Sequence, residues 1–235
     1  MEYKSWNVII KKIANFEIKK GLTTFVNPYS MLLLKERKDI AEKIDFWHID
    51  GISLVNKLNR YYKLKNSRFS FDDTSLAPIV FNHSKVNNLS IAIIGTEEEY
   101  ITKAVHAIEN RYNVKIGYFR NGYFKDQERE DCIELIVRER FDVVVCGMGT
   151  PNQEMFLIDL KNAGWDGYGY TCGGYLHQIA KKKDYYPVFF DKLNIRWIYR
   201  IIDQPELFQR YLIDYPNFFL ELNKFKKKYK TIKSL

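Results

Sequence analysis

Nothing in this sequence approaches the roughly 20 consecutive apolar residues that a membrane-spanning helix requires. Its first twenty residues, with Lys and Glu scattered through them, also lack the continuous apolar segment of a secretory signal. Both absences lead us to expect a cytoplasmic protein. Cysteine is scarce. Cys132, Cys146 and Cys172 are odd in number and far apart, and two of them sit in apolar strand-like runs. That argues against a disulfide framework or a zinc site and suits a reducing compartment. His48, His83, His106 and His177 share no metal-ligand spacing and read as surface or structural residues, so no metal is expected. The turn Gly95-Thr96 is not a GxGxxG, which speaks against a standard dinucleotide site. No internal repeat is visible, and no low-complexity segment beyond a lysine-rich end.

What is present is enough apolar material for one sizeable core: 46% of 235 residues. The charge is unevenly placed. Residues 181–235 hold thirteen Lys and Arg against six Asp and Glu, so +7 of the chain's +8 resides there. The same segment is threaded with Trp197, Tyr199, Phe208, Tyr211, Tyr215, Phe218, Phe219 and Phe225. A basic, aromatic segment of this kind suits anionic lipid headgroups, phosphate-bearing substrates or nucleic acid. The lysines at 226–228 and 230 also have a plainer reading as a solvated end.

Apolar runs of strand length alternate with helical patterns, the signature of a parallel sheet with crossover helices. Strands are expected at 23–26, 46–49, 89–94, 114–119, 141–146 and 168–171. Helices are expected from Asn27-Pro28 to about 44, from Gly51 to about 64, and at 97–111, 127–139 and 151–163. Residues 65–88 show no clear period and hold at most one helix, around 75–81. After Pro187 the alternation gives way to helical segments at 193–202, 205–215 and 216–228. The expected fold class is α/β: a Rossmann-like open, mostly parallel sheet with flanking helices in residues 1–186, followed by a helical basic C-terminal appendage in 187–235.

Ligands of open α/β sheets bind outside the carboxyl ends of the strands. That rule selects Asn27-Pro28, Asp50-Gly51, Gly95-Thr96 and the turn from Gly147 through Gly149 to Gln153 and Glu154. Glycines there allow close backbone approach, and free N–H groups at a helix start attract phosphate. Local sequence alone leaves plainer readings open. Asn27 and Asp50 both suit helix caps, and Thr150 with Gln153 has capping-box spacing with Pro151 at the first helical position.

Taken in order, the blocks "TFVNPYSM", "HIDGISLV", "SRFSFDDTSL", "LSIAIIGT", "FDVVVCGMGTPNQE", "CGGYLHQIA" and "LNIRWIYRIIDQPELFQRYL" resemble the WecG/TagA/CpsF family, glycosyltransferase family 26, over almost the whole chain. The Gly-x-Gly-x-Pro-x-Gln-Glu turn and the Trp-x-Tyr-Arg block are the most specific. The resemblance implies an inverting, metal-independent enzyme without a cofactor. It would move a hexose or N-acetylhexosamine from a UDP-sugar to a polyprenyl-diphosphate-linked saccharide in surface-polysaccharide synthesis. It also implies Asp50 as general base, with Asn27, Arg68 and Gln153 lining the pocket. Arg196, Arg200 and Arg210 would meet diphosphate charge from an appendage that closes over the site at an anionic membrane surface. Arg196 and Arg200 are four apart and share a helical face, with Ile195, Ile198 and Ile202 available for packing. The expected location is accordingly the inner face of the cell membrane, with no nucleic-acid partner and a homo-oligomer as one compatible state.

This chemistry fits the residues. One carboxylate suffices to take the acceptor's proton. The leaving UDP then needs a metal or arginines and helix N-termini; Asp72-Asp73 lacks DxD spacing, which favours the arginines. The chain departs from the family after its paired glycines, where "YLHQIAKKKDYYP" lacks the usual Ala-Gly and Arg-Ala-Pro, and before Asp72, where the usual glycine is absent. Two other readings are a basic RNA-binding or scaffold protein and a nucleotide-dependent transferase of a non-sugar group.

Overall fold

The computed structural model of the chain describes residues 3–181 and 196–229. Its sheet is built from β1 (Gly21–Val26), β2 (Phe46–Ile49), β3 (Ile91–Gly95), β4 (Ile116–Arg120), β5 (Val143–Gly147) and β6 (Tyr168–Thr171). They lie in the order β2-β1-β6-β5-β3-β4, and every pairing is parallel. The fold is therefore the open Rossmann-like α/β sheet expected from the alternation. Strands β3 and β5 are buried at every position, as strands covered on both faces must be. Alternate residues serve opposite faces: Ala92 and Ile94 join one core cluster, Ile91 and Ile93 the other.

The second cluster is covered by α5 (Leu76–Val86), α6 (Glu98–Tyr112) and α9 (Tyr175–Lys181). The first receives apolar side chains from α1 (Lys4–Lys12), α2 (Pro28–Leu33), α3 (Lys38–Lys43), α4 (Ile52–Tyr62), α7 (Glu128–Arg138) and α8 (Asn152–Asn162). The C-terminal helices are α10 (Arg196–Asp203) and α11 (Tyr215–Lys228). Between them run a 3-10 turn, Pro205–Leu207, and a π-helical turn, Arg210–Asp214, where the sequence pattern suggests a continuous helix. No helix among the described residues is long and apolar enough to cross a membrane.

Several boundaries differ from the sequence reading for local reasons. The single helix expected from Asn27 to about residue 44 is two short ones. Between them Arg37 N–H donates to the Leu34 carbonyl (3.0 Å), and the Arg37 guanidinium grips both oxygens of Asp39 (3.0 and 2.8 Å) at the start of α3. Helix α1, not expected at all, places Trp6, Ile9, Ile10 and Ile13 on one buried face at helical spacing. The expected boundary at 186/187 lies outside the described residues. Beyond it Phe218, Leu222 and Phe225 are fully buried in the same cluster as Trp6 and Ile9.

Trp6 is the joint between the two ends of the chain. Its ring lies 5.2 Å from Phe218 and 5.8 Å from Phe225, and its indole N–H donates to the Met31 carbonyl (2.5 Å). Helix α11 is held further by Lys35–Glu221 (2.7 Å), by a Tyr61–Asn223 hydrogen bond and by Lys226 over the Tyr62 ring. Truncating a buried aromatic of this size removes its transfer energy and leaves a cavity, which together cost about 3–5 kcal/mol. Trp6→Ala is expected to lower unfolding stability by about that amount in urea. A loss under about 1 kcal/mol would contradict this packing role.

Candidate active site

The connections leaving β1 and β3 run to opposite edges of the sheet, so the loops at the strand ends diverge over β6 and β5. A cleft of about 1040 Å³ opens there. Asn27, Asp50, Arg68, Gly147, Gly149, Gln153, Arg200 and Arg210 all line it, although they come from every part of the chain. Asn27 is both wall and cap: its Oδ1 accepts the Ser30 N–H (3.0 Å), and Ser30 Oγ accepts the Asn27 N–H (2.9 Å), a reciprocal capping box that starts α2.

Asp50 is not a helix cap. Its N–H still extends the sheet by donating to the Val26 carbonyl (2.8 Å), and Gly51 takes the cap position with φ +117°, a conformation that suits glycine. This leaves the Asp50 carboxylate for Arg68, whose Nη2 lies 3.1 Å from Oδ1. The same nitrogen donates to Ser70 Oγ (2.8 Å) and Asp72 Oδ2 (3.3 Å), and Ser70 Oγ donates to Asp72 Oδ2 (2.5 Å). The geometry has a simple origin. Arg68 forms a parallel bridge with Ile49, and Phe69 N–H donates to the Ile49 carbonyl (2.9 Å), so the segment runs extended beside the end of β2. Arg68 and Ser70 therefore fall on one side. From behind, the loop is pinned by Asp73, which takes Arg111, Tyr112 and the Tyr175 hydroxyl (2.9 Å).

The Asp50 side chain is 38% exposed, but that exposure is to the interior of the cleft, where protein replaces most of its water. Desolvation accordingly pushes its pKa above the usual 3.8; Arg68 pulls it down, Asp72 pushes it up and Arg200 pulls it down. Burial tends to lower the Arg68 pKa, but the two carboxylates outweigh it and hold it above its ordinary value, fixing the positive charge.

The expected Thr150–Gln153 capping box does not form. Pro151 occupies the cap position of α8 rather than the first helical position, and no side chain caps the helix. Gln153 turns inward and accepts the Gly173 N–H on Oε1 (3.2 Å). Glu154, expected to touch substrate, is 1% exposed and lies beneath the cleft wall, where Oε1 accepts from Thr24 Oγ1 (2.8 Å). Gly95 is likewise off the wall and serves packing: at φ +134° it lies so close to Gly147 that a Cβ would fall 2.3 Å from the Gly147 carbonyl oxygen. The three cysteines are free and buried. Among the described residues no group of His, Cys, Asp or Glu is arranged to hold a metal ion.

The C-terminal segment roofs the cleft. The Arg210 guanidinium sits 4.1 Å over the Tyr29 ring at the start of α2, and Arg200 lies against Gly174 while contributing to the field at Asp50. The Arg196 side chain, like Ile195, lies outside the described residues. Ile202, expected to pack, is 67% exposed.

The sequence matches known proteins. A sequence profile of the Glycosyl transferase WecG/TagA/CpsF family matches residues 3–232. The chain belongs to this family. The UDP-Gal:alpha-D-GlcNAc-diphosphoundecaprenol beta-1,4-galactosyltransferase of Shigella boydii is 37% identical over 199 residues, covering 84% of each chain. Membership makes the protein a sugar-transferring enzyme and favours that reading over the RNA-binding, scaffold and non-sugar alternatives.

Sequence reasoning missed Ser70 and Asp72 as partners of Arg68, although the alternation Arg-x-Ser-x-Asp was their signal. It also passed over Tyr29, whose ring meets Arg210, and His177, which lines the cleft beside the Tyr100 ring (4.4 Å). A base must be ionised to act, so with Asp50 assigned as the base turnover is expected to fall as pH drops through its pKa, which burial raises above that of an ordinary aspartate. Arg68 favours the ionised form, so Arg68→Gln is expected to shift the acid limb of kcat/KM to still higher pH. An unmoved or lowered limb would contradict the assignment.

Proposed function

We propose that this enzyme transfers galactose from UDP-galactose to the GlcNAc of a polyprenyl-diphosphate-linked acceptor in a single inverting displacement. The observation that carries this reading is the Asp50 carboxylate at the end of β2, paired with Arg68 in a cleft roofed by Arg200 and Arg210. The Shigella boydii relative, whose donor, acceptor and β-1,4 product are in its name, supports the substrates. Asp50 takes the proton of the attacking acceptor hydroxyl as its oxygen bonds to the anomeric carbon. The bond from that carbon to the diphosphate breaks, and its electron pair leaves with UDP. Attack opposite the α-linked diphosphate yields a β-linkage.

In this reading Arg200 and Arg210 meet the charge that grows on the leaving diphosphate, without a resident metal. Asn27 and Gln153 shape the donor side of the cleft. Phe208, Leu212, Ile213 and Leu220 are exposed on the C-terminal segment, and with the nearby lysines they suit contact with the headgroups of an anionic membrane at its inner face. Such contact would bring the mouth of the cleft to a lipid-linked acceptor.

Product analysis with UDP-galactose, UDP-glucose and UDP-N-acetylglucosamine on a synthetic GlcNAc-diphosphoundecaprenol tests the reading. Transfer is expected from UDP-galactose and to persist in EDTA, and Arg200→Ala is expected to lower kcat by about 10- to 1000-fold. No transfer from any UDP-sugar would sink the reading. Loss of turnover in EDTA, restored by added magnesium, would overturn its metal-free part.

A further inference from the structure

Glu154 is a buried charge-bearing residue with no contact to the cleft, and its carboxylate is used on one side only. Oε1 accepts from Thr24 Oγ1 (2.8 Å), Thr150 Oγ1 (3.1 Å) and Gln153 Nε2 (3.1 Å), while Oε2 has no hydrogen-bond partner among the described residues. A buried carboxylate held this way costs stability unless its surroundings require it. What the surroundings gain is a fixed neighbour. Gln153 Nε2 donates toward two oxygens on the same side of it, Glu154 Oε1 (3.1 Å) and Thr150 Oγ1 (3.3 Å), which are themselves 3.1 Å apart, and Gln153 Oε1 accepts the Gly173 N–H (3.2 Å).

That orientation has no alternative. A backbone N–H only donates and Glu154 Oε1 only accepts, so a flipped amide would set N–H against N–H and oxygen against oxygen. A proton on Glu154 would sit on Oε2 and leave Oε1 an acceptor. Gln153 is a cleft residue, so the orientation fixed from beneath decides which of its carboxamide atoms a ligand meets. We propose that Glu154 is a positioning residue which locks the Gln153 carboxamide in one orientation for contact with the nucleotide sugar. This rests on the UDP-sugar reading above.

The test uses the full chain and Glu154→Gln, which keeps the shape of the side chain but frees the neighbouring amide to flip, with Gln153→Met and the double variant. KM for UDP-galactose, kcat, and the Kd of UDP by calorimetry are compared. Glu154→Gln is expected to raise KM about tenfold with a smaller change in kcat, and to add nothing in the Gln153→Met background. A parallel rise in the Kd of UDP places the recognised group on the UDP part of the donor. A rise in KM alone places it on the galactose hydroxyls. Either supports the proposal. Unchanged KM and Kd, or multiplicative effects in the double variant, would overturn it. By NMR, slow exchange of the Gln153 side-chain protons is expected in the wild type and lost in Glu154→Gln; fast exchange in both overturns the lock even if UDP-galactose proves not to be the donor. Should Glu154→Gln fail to fold, Thr150→Val removes the amide's other acceptor and is expected to raise KM likewise, and an unchanged KM there overturns the proposal.

Discussion

The Arg68 guanidinium ties the end of β2 to the irregular segment that follows α4, and in the proposed mechanism the Asp50 carboxylate depends on that tie. Asp50 at the mouth of a desolvated cleft would drift toward its neutral form without a fixed positive partner, and a neutral carboxyl accepts no proton. Arg68 supplies the charge, while Ser70 and Asp72 fix where it points. Asp72 works in both directions: it holds Arg68 in place, yet its own charge raises the Asp50 pKa. The two charges act on Asp50 in opposite directions, and with burial the largest influence its pKa lies above that of a free aspartate.

The rest of the fold serves this arrangement at longer range. The two halves of the sheet splay their loops over β6 and β5, which brings Asn27, Asp50, Gly147 and Gln153 to one cleft. Trp6, Phe218 and Phe225 then bind the two ends of the chain into one core, so Arg200 and Arg210 approach from a segment anchored by buried aromatics as well as by the Lys35–Glu221 pair. The Arg210–Tyr29 contact closes the roof onto the cap of α2. The basic end of the sequence thus has two physical uses, an apolar face that packs and cations that face the cleft.

Much of this was legible in the sequence. Buried parallel strands read as short apolar runs because both faces are covered, which is why β3, β5 and β6 fell close to their expected places. The strand-end rule found Asn27, Asp50 and Gln153, but local sequence could not separate a cap from a reacting group. Asn27 is in fact a cap, whereas Asp50 is not, because Gly51 takes that position. The break between α2 and α3 was hidden because it is a tight turn, closed by the Arg37 N–H on the Leu34 carbonyl, with no Gly or Pro to mark it. Glu154 looked like a site residue from its motif. Only the packing beneath the sheet ends shows that it reaches the cleft through its neighbour.

The central claim is that one ionised carboxylate, Asp50, does the proton transfer. It is tested most directly by comparing Asp50→Asn with the wild type for turnover of UDP-galactose and for UDP binding by calorimetry on the same preparations. The account predicts a fall in kcat of about 100- to 10,000-fold with the Kd of UDP nearly unchanged. Turnover near that of the wild type would contradict it.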